Sequence, residues 1–585
     1  MSHRESALRP HASIASLILI STLLVLIAGL ATGCGQESRS ERAVRSELKR
    51  QLGQRLRLFG RPTLDADDIQ PLVRRFYRGR KFRPAWTDGR GPSRDASALI
   101  QALGDAPREG LDPAAYPPER IDSLMKITSA GLIGPPPSAR ALAALDLRLT
   151  RAFLGYATHL STGQVDPKAL PSDWHVSRPR FDPVPLLTQA IQHHRVRATL
   201  QGLAPRDPHY ARLRLALARY REIEAAGGWV KVASGTPLRR GQRGPRVVAL
   251  RERLVAGGDL SPTASHGAVF DFATEKAVRS FQERHGLETD GVVGAGDFEA
   301  LNAPVARRVR QIELNMERWR WIPALEERYI MVNIPDFTLE VVEGGRPRLA
   351  SRVVVGKQFN RTPIFSDQIT SLVVNPYWNV PPRIAADEVL AQAQEDPTYL
   401  ERIGMHVFDS PEPDARELDP GSVGWAWVSP ENLHYSFRQE PGPQNPIGRV
   451  KFMCPNQFDV YLHDTPAEHL FKASERDLSH GCVRVERAVD LAEYLLRGKE
   501  HSSRKDLLEA FASPALDSAV RLPRPIPVHL FYWTAWVDDQ GRVQFRDDVY
   551  GLDHVLDRAL SRRGTIAWIG PTAQRSPAAL AAAVP

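Results

Sequence analysis

A chain of 585 residues exceeds the ~250–300 residues at which a single hydrophobic core stops growing, so several domains are expected. Its composition, 42% apolar and 25% charged, is that of a folded globular protein. The net charge of +9 is spread among interleaved Lys, Arg, Asp and Glu with no long basic block, so nucleic acid is not an expected partner, whereas attraction to an anionic polymer or membrane surface fits.

Residues 1–34 read as an export segment. His3, Arg4 and Arg9 precede an uncharged, Leu/Ile-rich run from Ala12 to Ala31, followed by Thr32, Gly33 and Cys34. The small residues before Cys34 resemble a lipobox, with Ala31 where that motif usually has Leu, and the resemblance implies lipidation of Cys34. An uncleaved anchor helix is the competing reading, because about 20 apolar residues suffice to cross a bilayer. Both readings export the remaining chain to the periplasm and tether it to a membrane. Of three cysteines, only Cys454 and Cys482 would remain in the soluble part, so no disulfide framework is being built.

Residues 35–50 are polar and read as a flexible tether. From 51 to 228 the pattern is helical with Pro and Gly punctuation, and Leu142, Leu145, Leu149, Ala152 and Phe153 recur at the spacing of a core-facing stripe. Tyr77 and Trp86 read as core aromatics. No acid, base and nucleophile occur together here, and a helical scaffold or interaction domain is expected.

The punctuation of residues 236–302 predicts helix, loop, helix, Gly turn, helix. Leu238 to Gly244 precede an amphipathic stretch with Val247, Val248, Leu250 and Leu254; Phe270-Asp271, Phe281-Gln282, His285-Gly286-Leu287 and Asp290 to Gly294 follow. These residues resemble the peptidoglycan-binding-domain-1 family, a small three-helix module. Substrate binding and a spacer or docking role are both open to it.

A linking helix is expected around Glu313 to Trp321. Short β-rich runs follow at Tyr329–Val332, Thr338–Val342, Arg352–Val355, Ser371–Val374, Arg449–Met453 and Asp459–Leu462, bounded by Gly, Pro, Asn and Asp. The expected architecture is multidomain α+β, with a mostly β domain over 303–555. An insertion at about 383–445, helical at Ile384 to Gln394, is long for a connection and reads as a lid over a site. The Ala-rich stretch 556–585 reads as a disordered tail. Alternation places Val450, Phe452 and Cys454 on one strand face, which makes Cys454 a core thiol.

Cys482 stands in a different setting. Tyr461-Leu462-His463-Asp464 is followed by Ser479-His480-Gly481-Cys482-Val483-Arg484. A thiol accepts an acyl group as thiolate, so it needs an imidazole to take its proton, and His463 at a strand end can supply one. Gly481 permits a tight turn whose amides, at Gly481 and Cys482, would stabilise a tetrahedral oxyanion. His463, His469, His480 and Cys482 are clustered in sequence but lack CxxC or HExxH spacing, so no metal site is assigned. His480 and Ser479 read as structural or substrate-contacting residues.

The pairing of His463 with Ser479-His480-Gly481-Cys482-Val483-Arg484 resembles the signature of YkuD-type L,D-transpeptidase catalytic domains. Val354 to Lys357, Arg361-Thr362-Pro363, Asn375 to Pro381, Gly448 to Phe452 and Tyr532 to Trp536 resemble the YcbB-like subgroup of that family. The resemblance implies that Cys482 is the nucleophile and His463 the general acid and base. It implies a thioester with a tetrapeptide stem of peptidoglycan, release of D-alanine and a 3→3 cross-link. A main-chain carbonyl at or near Asp464 would orient the imidazole, with no role for the Asp464 carboxylate. Tyr461, Trp378 and Asn379 would line the pocket. Arg484 has three readings: lowering the thiol pKa, binding a stem carboxylate, or bracing the turn by a salt bridge. Carbapenems, as mimics of the D-alanyl bond, are expected to acylate Cys482, and no cofactor is expected. Capture of the thioester by water would make the chain an L,D-carboxypeptidase or a hydrolase of wall-linked proteins, and a non-catalytic wall-binding scaffold is the third reading.

Overall fold

The structure, a computed structural model, describes residues 37–563 apart from 59–68, 89, 130–136, 172–173, 265–266, 397, 413, 501 and 514. The export segment with Cys34, and residues 564–585 of the tail, lie outside the described residues. Among those described, no helix is long and apolar enough to cross a membrane. Two compact units are present.

The first unit comprises residues up to Ala102 with Pro117–Gly155 and Pro183–Thr199, and it is helical. Its first helix, Arg39–Leu58, corrects the flexible tether expected at 35–50. Val44, Leu48 and Leu52 recur every four residues on an otherwise charged segment and are buried, which a reading of average polarity overlooks. Leu142, Leu145, Leu149, Ala152 and Phe153 are buried as their spacing required. Tyr77 and Trp86 are core aromatics: Tyr77 donates to the buried Asp146 carboxylate at 2.6 Å and the Trp86 indole donates to Thr150 at 2.9 Å.

The second unit comprises Leu103–Tyr116, Tyr156–Asp182 and Leu200 onward. Within it, helices Pro245–Gly257, Phe272–His285 and Ala295–Asn302 enclose a small core that includes Leu250, Leu254, Phe281 and Phe298. Asp271 caps the second helix by accepting the Thr274 amide at 2.8 Å. This three-helix module is fastened to the rest of its unit. The Arg284 carbonyl accepts from Arg546 at 3.1 Å and Arg542 meets Glu283 at 3.0 Å, while inside the module the Arg284 guanidinium forms a buried pair with Asp259 at 2.5 Å.

Helix Val305–Trp321 leads from the module into the β domain. Its Asn315 and Gln311 hold Thr534, and Trp319 stacks on Trp533 with ring centroids 4.5 Å apart, so two sequence motifs more than 200 residues apart form one seam.

The β domain opens with strands β1 (Arg328–Asn333), β2 (Thr338–Glu343), β3 (Arg346–Gly356) and β4 (Ser366–Val374). An insertion then contributes β5 (Trp378–Asn379), β6 (Met405–Phe408), β7 (Glu417–Leu418) and β8 (Ser436–Gln439). The chain returns with β9 (Val450–Met453), β10 (Leu462–His463), β11 (Asp477–Ser479), β12 (Val483–Val485) and β13 (Ser518–Phe531), and ends in the hairpin β14 (Ala535–Val537) and β15 (Val543–Phe545). The main sheet runs β11-β3-β12-β10-β9-β4-β13-β1-β2 and closes on itself because β2 also pairs with β3. Val450, Phe452 and Cys454 lie in its core, as alternation predicted.

Two expectations for this domain change. The insertion is helical at Pro382–Glu395 but also builds its own four-stranded sheet, β5-β8-β6-β7, over a separate apolar cluster. The tail does not begin at 556. Leu552–Arg563 is a helix whose Leu552 and Leu556, four residues apart, are buried in the main core.

Removing one partner of a buried ion pair costs about 3–5 kcal/mol. Arg284→Met is therefore expected to lower the thermal unfolding midpoint measured by calorimetry, whereas Lys126→Met, at the exposed pair with Asp122, leaves it nearly unchanged.

Candidate active site

Strand pairing decides which side chains share a face. β10 runs parallel to β12 with Leu462 beside Val483 and His463 beside Arg484. β10 runs antiparallel to β9 with Leu462 beside Phe452 and His463 beside Lys451. Phe452, Leu462 and Val483 are fully buried in the core. Because successive side chains alternate, Lys451, His463 and Arg484 form a row on the opposite face, and Tyr461 and Cys482 stand one step along that same face. Diagonal neighbours on adjacent strands lie on the order of 7–8 Å apart, within reach of long side chains. The structure thus brings Cys482 and His463 to one face, with Cys482 half-buried.

His463 is oriented by the main chain. Its Nδ1 donates to the Asp464 carbonyl at 2.5 Å, which leaves Nε2 as the basic nitrogen. The Asp464 carboxylate is occupied elsewhere, accepting the amide and the Nε of Arg449 at 2.9 and 3.1 Å. Burial, and after it the Arg484 cation, hold the His463 imidazole down at about 4, against the carbonyls of Asp464 and Ile447. Burial raises the Cys482 thiol above its ordinary value, although the Tyr461 backbone and the cations of Lys451 and Arg484 pull the other way. The resting pair is accordingly a neutral imidazole and a neutral thiol. The thiol is turned toward the Asp459 carbonyl at 3.8 Å.

The turn that carries Cys482 is braced from three directions. Ser479 Oγ accepts the Gly481 amide at 3.1 Å and donates to the Cys482 carbonyl at 2.6 Å. Thr362 Oγ1 accepts the Gly356 amide at 2.9 Å and donates to the Gly481 carbonyl at 2.7 Å. Tyr550 donates to the Gly356 carbonyl at 2.6 Å and accepts the Thr362 amide. Gly481 sits at φ +119°, where side chains are rarely accommodated, and a Cβ at Gly356 would collide with the Asn360 carbonyl.

This bracing corrects part of the oxyanion expectation. The Gly481 amide is consumed by Ser479, whereas the Cys482 amide has no acceptor among the described residues and stays available. Ser479 is a structural residue of the turn. His480 points to the insertion, where its Nε2 meets Glu388 Oε1 at 2.7 Å. Glu388 belongs to a π-turn, Ala385–Val389, within the insertion's helix, and it also acts on Arg484 electrostatically. Arg484 itself makes no side-chain hydrogen bond or ion pair among the described residues, which removes the salt-bridge reading. Tyr461 lies under the Lys451 ammonium, 3.6 Å from ring centroid to Nζ. Trp378 packs against the apolar cluster of the insertion and Asn379 is exposed beside it on β5, so these two belong to the insertion's own sheet. Lys451, Thr362, Glu388 and Tyr550 had been given no role. Lys451 was detectable in principle, as a polar residue alternating with Val450 and Phe452. Among the described residues, no group of three or more His, Cys, Asp or Glu converges as a metal site.

Residues 327–502 match the YkuD family, described as "L,D-transpeptidase catalytic domain". Residues 243–301 match a "Putative peptidoglycan binding domain" and residues 71–217 a "Scaffold domain". The "Putative L,D-transpeptidase" of Haemophilus influenzae is 32% identical over 250 residues, 43% of this chain and 49% of the relative. The "N-acetylmuramoyl-L-alanine amidase CwlL" of Bacillus licheniformis is 33% identical over 76 residues, 13% of this chain and 21% of the relative. The chain therefore spans about half the length of the first of these relatives. Among solved structures, an L,D-transpeptidase from Xylanimonas cellulosilytica aligns at 18% identity over 51% of this chain and 99% of its own, with a TM-score of 0.15. One from Stackebrandtia nassauensis aligns at 14% identity over 52% and 96%, with a TM-score of 0.19.

The thiol environment sets a measurable profile. Alkylation of Cys482 by iodoacetamide, followed by peptide mass spectrometry, is expected to keep accelerating above about pH 8.5, where an ordinary thiol has half ionised. Arg484→Met removes a cation that favours the thiolate and should move the profile to still higher pH. Cys454, buried and pushed up to about 11, should stay unlabelled in the folded protein.

Proposed function

Because the chain carries a YkuD-type L,D-transpeptidase catalytic domain and a peptidoglycan-binding module, we propose that it is a cysteine transpeptidase that forms 3→3 cross-links between peptidoglycan stem peptides. The observation that carries this reading is the shared sheet face of Cys482 and His463, with His463 Nδ1 held by the Asp464 carbonyl.

In the proposed cycle the Cys482 thiol swings from the Asp459 carbonyl to His463 Nε2 and gives up its proton there. The sulfur attacks the carbonyl of the third stem residue, a diaminopimelate, and the Cys482 amide faces the developing oxyanion. Collapse of the tetrahedral intermediate breaks the C–N bond, and imidazolium His463 returns the proton to the departing D-alanine amine. A thioester remains on Cys482. The side-chain amine of a second diaminopimelate then attacks the thioester, His463 accepts its proton, and the thiol is restored as the new amide forms.

Capture by water instead of an amine would give a tripeptide. The Glu388 contact with His480 favours transfer, because it brings the insertion against the nucleophile turn, as a lid that limits water would be brought. Carbapenem acylation of Cys482 follows from the same chemistry. The substrate lies outside the cytoplasm; the periplasmic location and a membrane tether, lipidated Cys34 or an anchor helix, rest on the sequence pattern of residues 1–34, and the subgroup placement rests on Asn375 to Pro381 and Tyr532 to Trp536.

Purified protein incubated with tetrapeptide muropeptides is expected to yield, by mass spectrometry, a dimer lacking one D-alanine. Cys482→Ala should abolish the product and His463→Ala should reduce it severely. Tripeptide alone would replace this reading with a carboxypeptidase, and no product at all would leave a scaffold. The pH dependence has a definite sign. His463 must be neutral to accept the thiol proton, and it protonates at about 4, so kcat/KM should fall as pH drops through about 4 and show no inflection near 6.5, where an ordinary imidazole titrates.

A further inference from the structure

The cations that interleave with acids along most of the chain gather at one place in the first unit. Arg74, Arg75, Arg78, Arg80, Lys81 and Arg83 follow one another without an Asp or Glu between them. They occupy the end of helix Gln70–Gly79 and the turn after it. Arg80 is folded inward, with its guanidinium over the Phe76 ring and its Nη2 donating to the Pro84 carbonyl at 2.9 Å. Arg78, Lys81 and Arg83 are exposed. Lys81 and Phe82 take φ of +52° and +62°, a region that residues other than Gly rarely occupy, and their amides donate back to the Arg78 and Tyr77 carbonyls at 3.0 and 2.7 Å.

Helix Arg39–Leu58 extends this surface. Arg45 donates from Nε to the Lys81 carbonyl at 2.8 Å, which sets the two segments side by side. Arg42 and Lys49 stand one turn to either side of Arg45, so they share its helix face, and both are exposed. The acids of this segment are engaged along it: Glu37 pairs with Arg45, Glu41 accepts the Ser38 amide, and Glu47 pairs with Arg50. Among the described residues, the cationic heads of Arg42, Lys49, Arg78, Lys81 and Arg83 form no ion pair or hydrogen bond. Like charges held together repel, and an anionic surface relieves that repulsion.

The place of this surface in the chain says which anion it meets. Glu37 follows Cys34 by three residues and the end of the apolar run at Ala31 by six. At about 3.5 Å per residue, either form of membrane tether holds the head of the helix within roughly 10–20 Å of the bilayer. Electrostatic attraction acts over a Debye length of about 8–10 Å at physiological ionic strength, and the tether makes the encounter intramolecular.

We propose that the face formed by Arg42, Lys49, Arg78, Lys81 and Arg83 is a docking surface for anionic phospholipid, which lays the first unit against the membrane that holds the tether. The inference rests on the tether proposed above and adds a second, electrostatic contact to it.

The full chain, reconstituted with vesicles of phosphatidylcholine alone or of phosphatidylcholine with phosphatidylglycerol, separates the two contacts. Flotation at high salt reads the tether. Acylation of Lys49 and Lys81 by an N-hydroxysuccinimide ester, followed by peptide mass spectrometry, reads the surface. Phosphatidylglycerol should slow both lysines about tenfold at low salt, and about 1 M salt, where the Debye length is about 3 Å, should remove that protection. Each cation near an anionic bilayer strengthens adsorption about fivefold, so Arg42→Gln, Arg78→Gln and Arg83→Gln combined weaken it on the order of 100-fold and should return both lysines to the phosphatidylcholine rate. The variant keeps the tether, so a lower pH at the anionic surface acts on it as on the wild type.

Flotation with equal lysine rates in both vesicles overturns the docking surface and leaves the tether standing. Protection retained by the triple variant also overturns it. Flotation lost at high salt, with phosphatidylglycerol protection intact at low salt, overturns the tether and supports the surface as a contact in its own right. No flotation at either salt overturns both. Protection by isolated peptidoglycan equal to that by phosphatidylglycerol assigns the surface to the wall polymer and overturns the lipid assignment.

Discussion

Parallel pairing between β10 and β12 determines which side of the sheet each of their residues takes, and a slip of one residue would exchange the two faces. Leu462 and Val483 would then be in solvent, and His463 and Cys482 would be in the core. The register is enforced by what it buries. Phe452, Leu462, Val483 and Val485 are fully enclosed, and a slip would expose all of them. With side-chain burial worth roughly 1.5–3 kcal/mol each, the core holds the face that carries His463 and Cys482 in register far more firmly than any contact within the candidate site does. His463 and Cys482 need few hydrogen bonds of their own for this reason.

What the sheet does not fix is the local shape of the turn that carries Cys482, and distant residues supply it. Ser479 satisfies the turn from within, Thr362 reaches it from the end of the β3 loop, and Tyr550 braces Thr362 and Gly356 from near the end of the described chain. Each hydroxyl in this chain both donates and accepts, so little rotational freedom is left. The electrostatics follow the same division. Burial keeps His463 and Cys482 neutral at rest, and the cations of Lys451 and Arg484 only partly oppose it. A neutral pair suits the general-base step proposed above, and it protects the sulfur from oxidation.

The parts of this arrangement that were legible in sequence are those whose signal is local. Alternation gave β1, β2 and the buried Cys454, and Gly481 within Ser479 to Arg484 gave the tight turn that carries Cys482. Signals that depend on tertiary context were not legible. β13 carries Pro523, Pro525 and Pro527, which argue against a strand, and the structure accommodates them with a register shift between Arg521 and Ile526. The stripe of Val44, Leu48 and Leu52 was hidden in a charged segment whose average suggested a tether. The Gly481 amide looked free because nothing in the sequence says that Ser479 folds back onto it. Glu388 and Lys451 matter only because strand order and the insertion bring them to Cys482, and neither is near it in sequence.

The same dependence on tertiary context extends to the three-helix module. A module on a flexible linker raises the local concentration of whatever it grips but leaves the geometry undetermined. Here the Arg542–Glu283 pair, the Arg546 hydrogen bond to the Arg284 carbonyl and the stacking of His285 on Phe545 fasten the module to the hairpin that follows β13. That hairpin shares the Thr534 seam with helix Val305–Trp321, and Arg318 of the helix pairs with Asp553 at 2.6 Å, one residue from Leu552, which is buried in the main core. A continuous set of contacts thus runs from the module to the core beneath the face that carries His463 and Cys482. Any wall strand held by the module would be presented at a fixed distance and angle, so its contribution to catalysis would be orientation more than capture.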